Sequence, residues 1–116
     1  MGLLDRVFKK NKKRLDPIET YVTGTRFDNP DGSNRKKIIH EHVKEGDFVY
    51  IEPYIYKGKT AYYVRHEGGI IGNVPSSASP ILKENLKNAR ITKAYIYNRR
   101  FSKSDYFYKM DLRIEF

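Results

Sequence analysis

The sequence predicts a mainly β fold of the α+β kind: an antiparallel, partly open barrel of about six strands with two short helices. Three observations carry this. The chain has 116 residues, enough for one domain that buries roughly two thirds of its unfolded surface, and too few for a second core. Hydrophobic residues make up 39% and aromatic residues 14% of it, with the β-branched and tyrosine content typical of strands rather than of disordered chains. Short apolar segments recur between turn signals, and the last of them alternates with a period of two.

Residues 1–16 place Leu3, Leu4, Val7 and Phe8 at helical spacing before a run from Lys9 to Arg14. They read as a basic amphipathic segment that could lie on a membrane, reach a phosphate backbone, or pack on the domain of residues 17–116. Pro17 ends it. Ile18 to Thr25 reads as a first strand, and Asn29-Pro30-Asp31-Gly32 as a turn. Ser33 or Asn34 can cap a helix running to about Val43, with Ile38, Ile39 and Val43 inward and Arg35, Lys36 and Lys37 outward. Gly46 stops that helix. Phe48 to Glu52, Ala61 to Arg65 and Ile70 to Val74 then form a meander, turning at Lys57-Gly58-Lys59 and Gly68-Gly69.

Ser79-Pro80 is a helix start, with the serine hydroxyl as cap and proline preset for the first turn. Ile81, Leu82, Leu86 and Ala89 make the buried stripe of a helix ending near Asn88. Ile91 to Tyr97 and Tyr106 to Phe116 are the last strands, joined by Asn98 to Ser104. In the final one Tyr106, Tyr108, Met110, Leu112, Ile114 and Phe116 alternate with Phe107, Lys109, Asp111, Arg113 and Glu115, so one face is core and the other wet.

The net charge of +9 is unevenly spread: residues 1–16, 17–75 and 76–116 carry +4, 0 and +5. An excess gathered at the two ends favours an anionic partner over charge that serves only solubility. The chain has no cysteine, which removes disulfides and thiolate metal sites and fits a reducing compartment. No apolar run approaches the ~20 residues that span a bilayer, and no signal peptide is visible. A soluble cytoplasmic protein is the expectation.

The order of several segments resembles the HIRAN domain family over roughly residues 20–98. The segments are Val22 to Phe27, Val43 to Val49, Glu52-Pro53 with Ala61 and Val64, Ile71 to Pro75, and the helix at Pro80 to Asn88. The resemblance implies an OB-like barrel that captures the 3′ end of single-stranded DNA. It further implies that Arg26 matches the arginine of the family's Arg-Tyr motif, that Phe27 stands for its first tyrosine, and that Tyr97 falls at a base-contacting aromatic. The sequence departs from the pattern at Asp28, Asn73 and Ser76, and Ile55-Tyr56-Lys57-Gly58 stands where an Asn-Pro-Tyr-Asp-type loop is usual.

Independently of that resemblance, single strands are held by stacking bases on rings while Lys and Arg follow the phosphates, so a site needs the two residue types interleaved. Tyr95, Tyr97, Arg99 and Arg100, with Phe101, Lys103, Phe107 and Lys109 beyond them, supply one such cluster. Tyr54, Tyr56 and Lys57, with Lys59, Tyr62 and Tyr63, supply a second. The competing reading is that alternate tyrosines are ordinary half-buried strand residues, and that Arg99-Arg100 is a charged hairpin tip. No arrangement suggests catalysis: His40 and His42 fall on different helix faces, His66 stands alone, and Gly68-Gly69 and Gly72 suit a turn and close backbone packing. No metal or cofactor is expected. The sequence therefore points to a non-enzymatic module for single-stranded DNA or DNA 3′ ends. The alternatives are a protein-interaction module on the same fold and, more weakly, peripheral membrane association through residues 1–16.

Overall fold

The computed structural model describes residues 15–104 and 107–116. The apolar-basic stretch of residues 1–14 and Tyr106 of the last predicted strand fall outside these. Six strands and two helices follow in the order β1 (Ile18–Tyr21), α1 (Arg35–His42), β2 (Tyr50–Tyr56), β3 (Lys59–His66), β4 (Gly69–Asn73), α2 (Ser79–Asn85), β5 (Lys93–Ser102) and β6 (Phe107–Glu115). The fold is mainly β. The strands form two antiparallel three-stranded sheets, ordered β1-β6-β5 and β2-β3-β4.

The sheets meet at two short seams and do not close into one continuous barrel ladder. At the first seam Thr23 N donates to Asn73 O at 2.9 Å and Asn73 N donates to Thr23 O at 2.8 Å. At the second, Val49 N donates to Ala94 O and Ile96 N to Asp47 O, both at 2.9 Å. Beyond Val49 the chain pairs only with β3, which leaves the ring open between β2 and β5. The first seam needs Gly72: a Cβ there would lie 2.4 Å from Val22 Cγ1 and 2.5 Å from Thr23 O, closer than any side chain tolerates.

The alternation of β6 decides which face is core. Tyr108, Met110, Leu112 and Ile114 are buried, and they pack with Ile39, Val64, Ile71, Leu82 and Ile96 in one cluster. Asn34 caps α1 as its residue type predicts, accepting from Lys37 N at 2.9 Å, and Ile38 and Ile39 turn inward.

Three expectations are corrected. Arg35 is not outward: it is buried, because Asn29, Gly24 and Asn73 satisfy its donors inside the fold. In α2 the cap position is Ala78, and the Ser79 hydroxyl donates back to Pro75 O at 3.1 Å. That helix ends at Asn85 and buries only Leu82 of the predicted stripe, leaving Ile81 54% exposed. Finally, β5 does not stop at Tyr97. Pairing with Phe107 to Asp111 carries it to Ser102, so Arg99 and Arg100 are strand residues and not a hairpin tip.

Candidate nucleic-acid interface

The site begins with a counting irregularity in β5. Ile96 pairs with Leu112 and Asn98 with Asp111, so two residues of β5, Tyr97 and Asn98, oppose one of β6. This is a β-bulge. Before it, Ala94 and Ile96 face the core; after it, Arg99 and Phe101 pair with the buried Met110 and Tyr108, while Arg100 pairs with the outward Lys109. The bulge therefore places Tyr95, Tyr97 and Arg100 together on the outer face of the β1-β6-β5 sheet.

Above the outer end of that sheet, the chain leaving β1 turns at Gly24, which adopts φ +71°, and runs back as Thr25, Arg26 and Phe27. Between this segment and the sheet lies a groove of about 410 Å³ lined by Tyr21, Arg26, Phe27, Arg100, Phe107 and Lys109, among others. The Arg26 guanidinium stands 4.9 Å and the Lys109 ammonium 6.0 Å from the Phe107 ring centroid. Phe27 is 67% exposed, a cost that an isolated chain does not recover by packing. One carboxylate, Asp111, enters the lining, and Arg100 reaches it at 3.7 Å. Tyr97 is not part of the lining, but it lies on the same sheet face in the field of Asp111. Partial burial and the nearby carboxylates of Asp111 and Glu19 push its hydroxyl pKa up, so it remains a neutral, stackable phenol.

Of the second candidate cluster, Tyr62 is not on the surface: it turns into the core with Val64, while Tyr54, Tyr56 and Tyr63 lie on the outer face of the other sheet. Tyr54 stacks on Tyr63 with centroids 3.8 Å apart and planes at 9°, and its hydroxyl accepts from Asn73 Nδ2 at 2.7 Å. Burial and the neighbouring Tyr63 raise the Tyr54 pKa. Asn73 is held in turn by Arg35, whose Nη1 donates to Asn73 Oδ1 at 2.8 Å and to Gly24 O at 3.0 Å, while its Nε donates to Asn29 Oδ1 at 2.6 Å. Burial lowers the Arg35 pKa from its ordinary value, but a guanidinium stays charged regardless. This network ties the loop carrying Arg26 and Phe27 to the β2-β3-β4 sheet. Tyr56 and Lys57 lie farther along, where Lys57 turns the chain with φ +50° and its ammonium sits 5.3 Å from the Tyr56 ring centroid.

The structure thus brings Arg26, Phe27 and Arg100 to one groove and sets Tyr95 and Tyr97 beside it. Tyr54 is engaged in an internal stack, and Tyr56 and Lys57 border a separate groove. Arg99 lies on the opposite face of the ribbon from Arg100, its guanidinium 4.5 Å over the Tyr108 ring. Sequence reasoning did not single out Tyr21 as a groove residue, although its alternation with Glu19 places it outward. Arg35 also looks outward by its place in the helix, because two of its three partners, Gly24 and Asn73, are distant in sequence.

The histidines are occupied locally. His40 Nδ1 is hydrogen-bonded to the Tyr108 hydroxyl, and the buried His66 holds Asp47 Oδ2 through Nε2 at 2.8 Å while its Nδ1 accepts from Gly68 N. No group of three or more His, Asp or Glu side chains among the described residues could hold a metal ion, and no described helix is long and apolar enough to cross a membrane. No protein-family model, curated protein or solved structure matches the chain.

Proposed function

We propose that the chain is a non-enzymatic nucleic-acid-binding module that holds a single strand in the groove between Arg26-Phe27 and the outer face of β5-β6. One observation carries this reading: three cations (Arg26, Arg100, Lys109) and three rings (Tyr21, Phe27, Phe107) surround a single open groove with one carboxylate. Rings exposed between cations suit stacked bases flanked by phosphates, and stacking contributes about 1 to 3 kcal/mol per base. Tyr97 and Tyr95 extend the platform along the same sheet.

The two sheets joined at two seams are read as an opened OB-like barrel, and the resemblance to HIRAN domains at Val22 to Phe27 and Ile71 to Pro75 supports DNA as the ligand. Those segments hold the Thr23–Asn73 seam beneath the groove. The departures at Asp28, Asn73 and Ser76 weigh against a strict requirement for a 3′ hydroxyl, and Asn73 is already committed to Arg35 and Tyr54. The decisive experiment is fluorescence anisotropy with a labelled single-stranded oligonucleotide. Binding should weaken steeply with salt and drop when Arg26 and Phe27 are replaced by alanine. Binding indifferent to both would overturn the reading.

A protein-interaction role has its own observation: Phe48 and Tyr50, 66% and 71% exposed, flank the open seam between β2 and β5. A Phe48→Ala, Tyr50→Ala variant that leaves oligonucleotide affinity intact but abolishes self-association or partner capture would favour it.

A further inference from the structure

A second groove, of about 650 Å³, lies between the β2–β3 turn and α2. Lys57, Lys59 and Lys83 converge on it from three different elements, with Tyr56, Thr60 and Ser76 between them. No carboxylate belongs to its lining, and the nearest acid along α2, Glu84, is held by Lys87 at 3.0 Å. Among the described residues neither Lys59 nor Lys83 has an ion-pair partner. Three lysines bordering one space with no carboxylate among them make it a place of positive potential, which suits an anion. Hydroxyls beside the ammonium groups add hydrogen-bond donors of the kind a phosphate accepts.

A chain of neighbouring residues connects this groove to the Arg26–Phe27 groove. Gly24, in the lining of the first, sits against Phe27 and Asn73: a Cβ there would lie 3.5 Å from the ring and 3.0 Å from the amide oxygen. Asn73 is bonded to Tyr54, and Tyr54 shares its strand face with Tyr56, two residues or about 7 Å along β2. Tyr56 pairs with Lys59 at the edge of the second groove.

We propose that the lysine groove is a phosphate-binding site that receives the backbone of the strand after it leaves the Arg26–Phe27 groove. The proposal rests on the function proposed above and adds to it a direction of travel and a length: a strand of about 4 nucleotides occupies the first groove only, and one of about 12 reaches both. The lysines follow phosphates and read no base, so this part of the interface is indifferent to sequence.

The test compares the intact chain with a Lys59→Ala, Lys83→Ala variant on labelled single strands of the two lengths, across a salt series. Both substitutions are at exposed positions, and an unchanged thermal transition confirms folding. The variant should bind the short strand as the parent does. Its affinity for the long strand should fall, and the slope of log K against log salt should be shallower by about 1.4, as expected for two lost contacts to a single strand. Unchanged binding of the long strand overturns the proposal. An equal loss on both lengths overturns it too, because that is the mark of diffuse charge rather than a second site. A parent chain that binds neither strand removes the underlying reading itself.

Discussion

Arg35 Nη1 donates to Asn73 Oδ1 at 2.8 Å, across the boundary between α1 and β4. With its bonds to Asn29 and Gly24, this one side chain pins the groove loop to the sheet. Replacing Arg35 by alanine leaves buried acceptors unmatched and should lower stability by about 3 kcal/mol. Arg35→Lys should recover little of it, because an ammonium cannot reproduce the fork of the guanidinium. Urea denaturation of the two variants measures both effects.

Gly72→Ala should be costly for a different reason. Its Cβ would overlap Thr23 O and Val22, forcing apart the reciprocal Thr23–Asn73 hydrogen bonds at the seam. A loss of about 1 to 3 kcal/mol is expected from overpacking of this kind. Because the seam underlies the Arg26–Phe27 loop, amide exchange in residues 22–27 should quicken more than in β6, which hydrogen exchange resolves by segment.

Tyr97→Ala should separate binding from folding. The ring is 43% exposed and contributes little to the core, so stability should move by less than about 0.5 kcal/mol. Single-strand affinity should fall by about 1 kcal/mol or more if a base stacks there. Equal affinities for parent and variant would remove Tyr97 from the interface.

Asp47 makes the fold sensitive to acid. Burial of the carboxyl opposes ionisation, but hydrogen bonds from Lys44 N and from His66 overcome it and hold the pKa below its ordinary value. A depressed folded-state pKa stabilises the fold above the unfolded value and ceases to do so as pH falls through the folded one. The difference in melting temperature between the parent and Asp47→Asn should therefore be largest near neutrality and shrink from about pH 5 to about pH 3. A constant difference over that range would show that the carboxylate charge does not contribute.

The parts of this fold legible in the sequence were those set by local periodicity. Tyr108 to Ile114 alternate without interruption, and the core face of β6 follows from that alone. Asn34 announced its helix because a cap is a local hydrogen bond. What stayed hidden depended on partners distant in sequence. Arg35 looks like any helix-surface cation until Gly24, Asn29 and Asn73 are brought around it. Leu82 and Leu86 have helical spacing, but the helix ends at Asn85 and buries only Leu82. The candidate site divides the same way: interleaved rings and cations were visible as a pattern, while their sorting onto faces was not.

That sorting comes down to the bulge at Tyr97. It acts as a parity switch, since every residue from Asn98 to Ser102 takes its side of the ribbon from the count being off by one. The same residues paired without the bulge would keep all of the β5 chemistry and invert its placement: Tyr97 would oppose Asp111, Arg99 and Phe101 would turn outward, and Asn98 and Arg100 would be driven toward the core. The ligand surface is thus encoded less in which residues β5 carries than in where the extra one is absorbed.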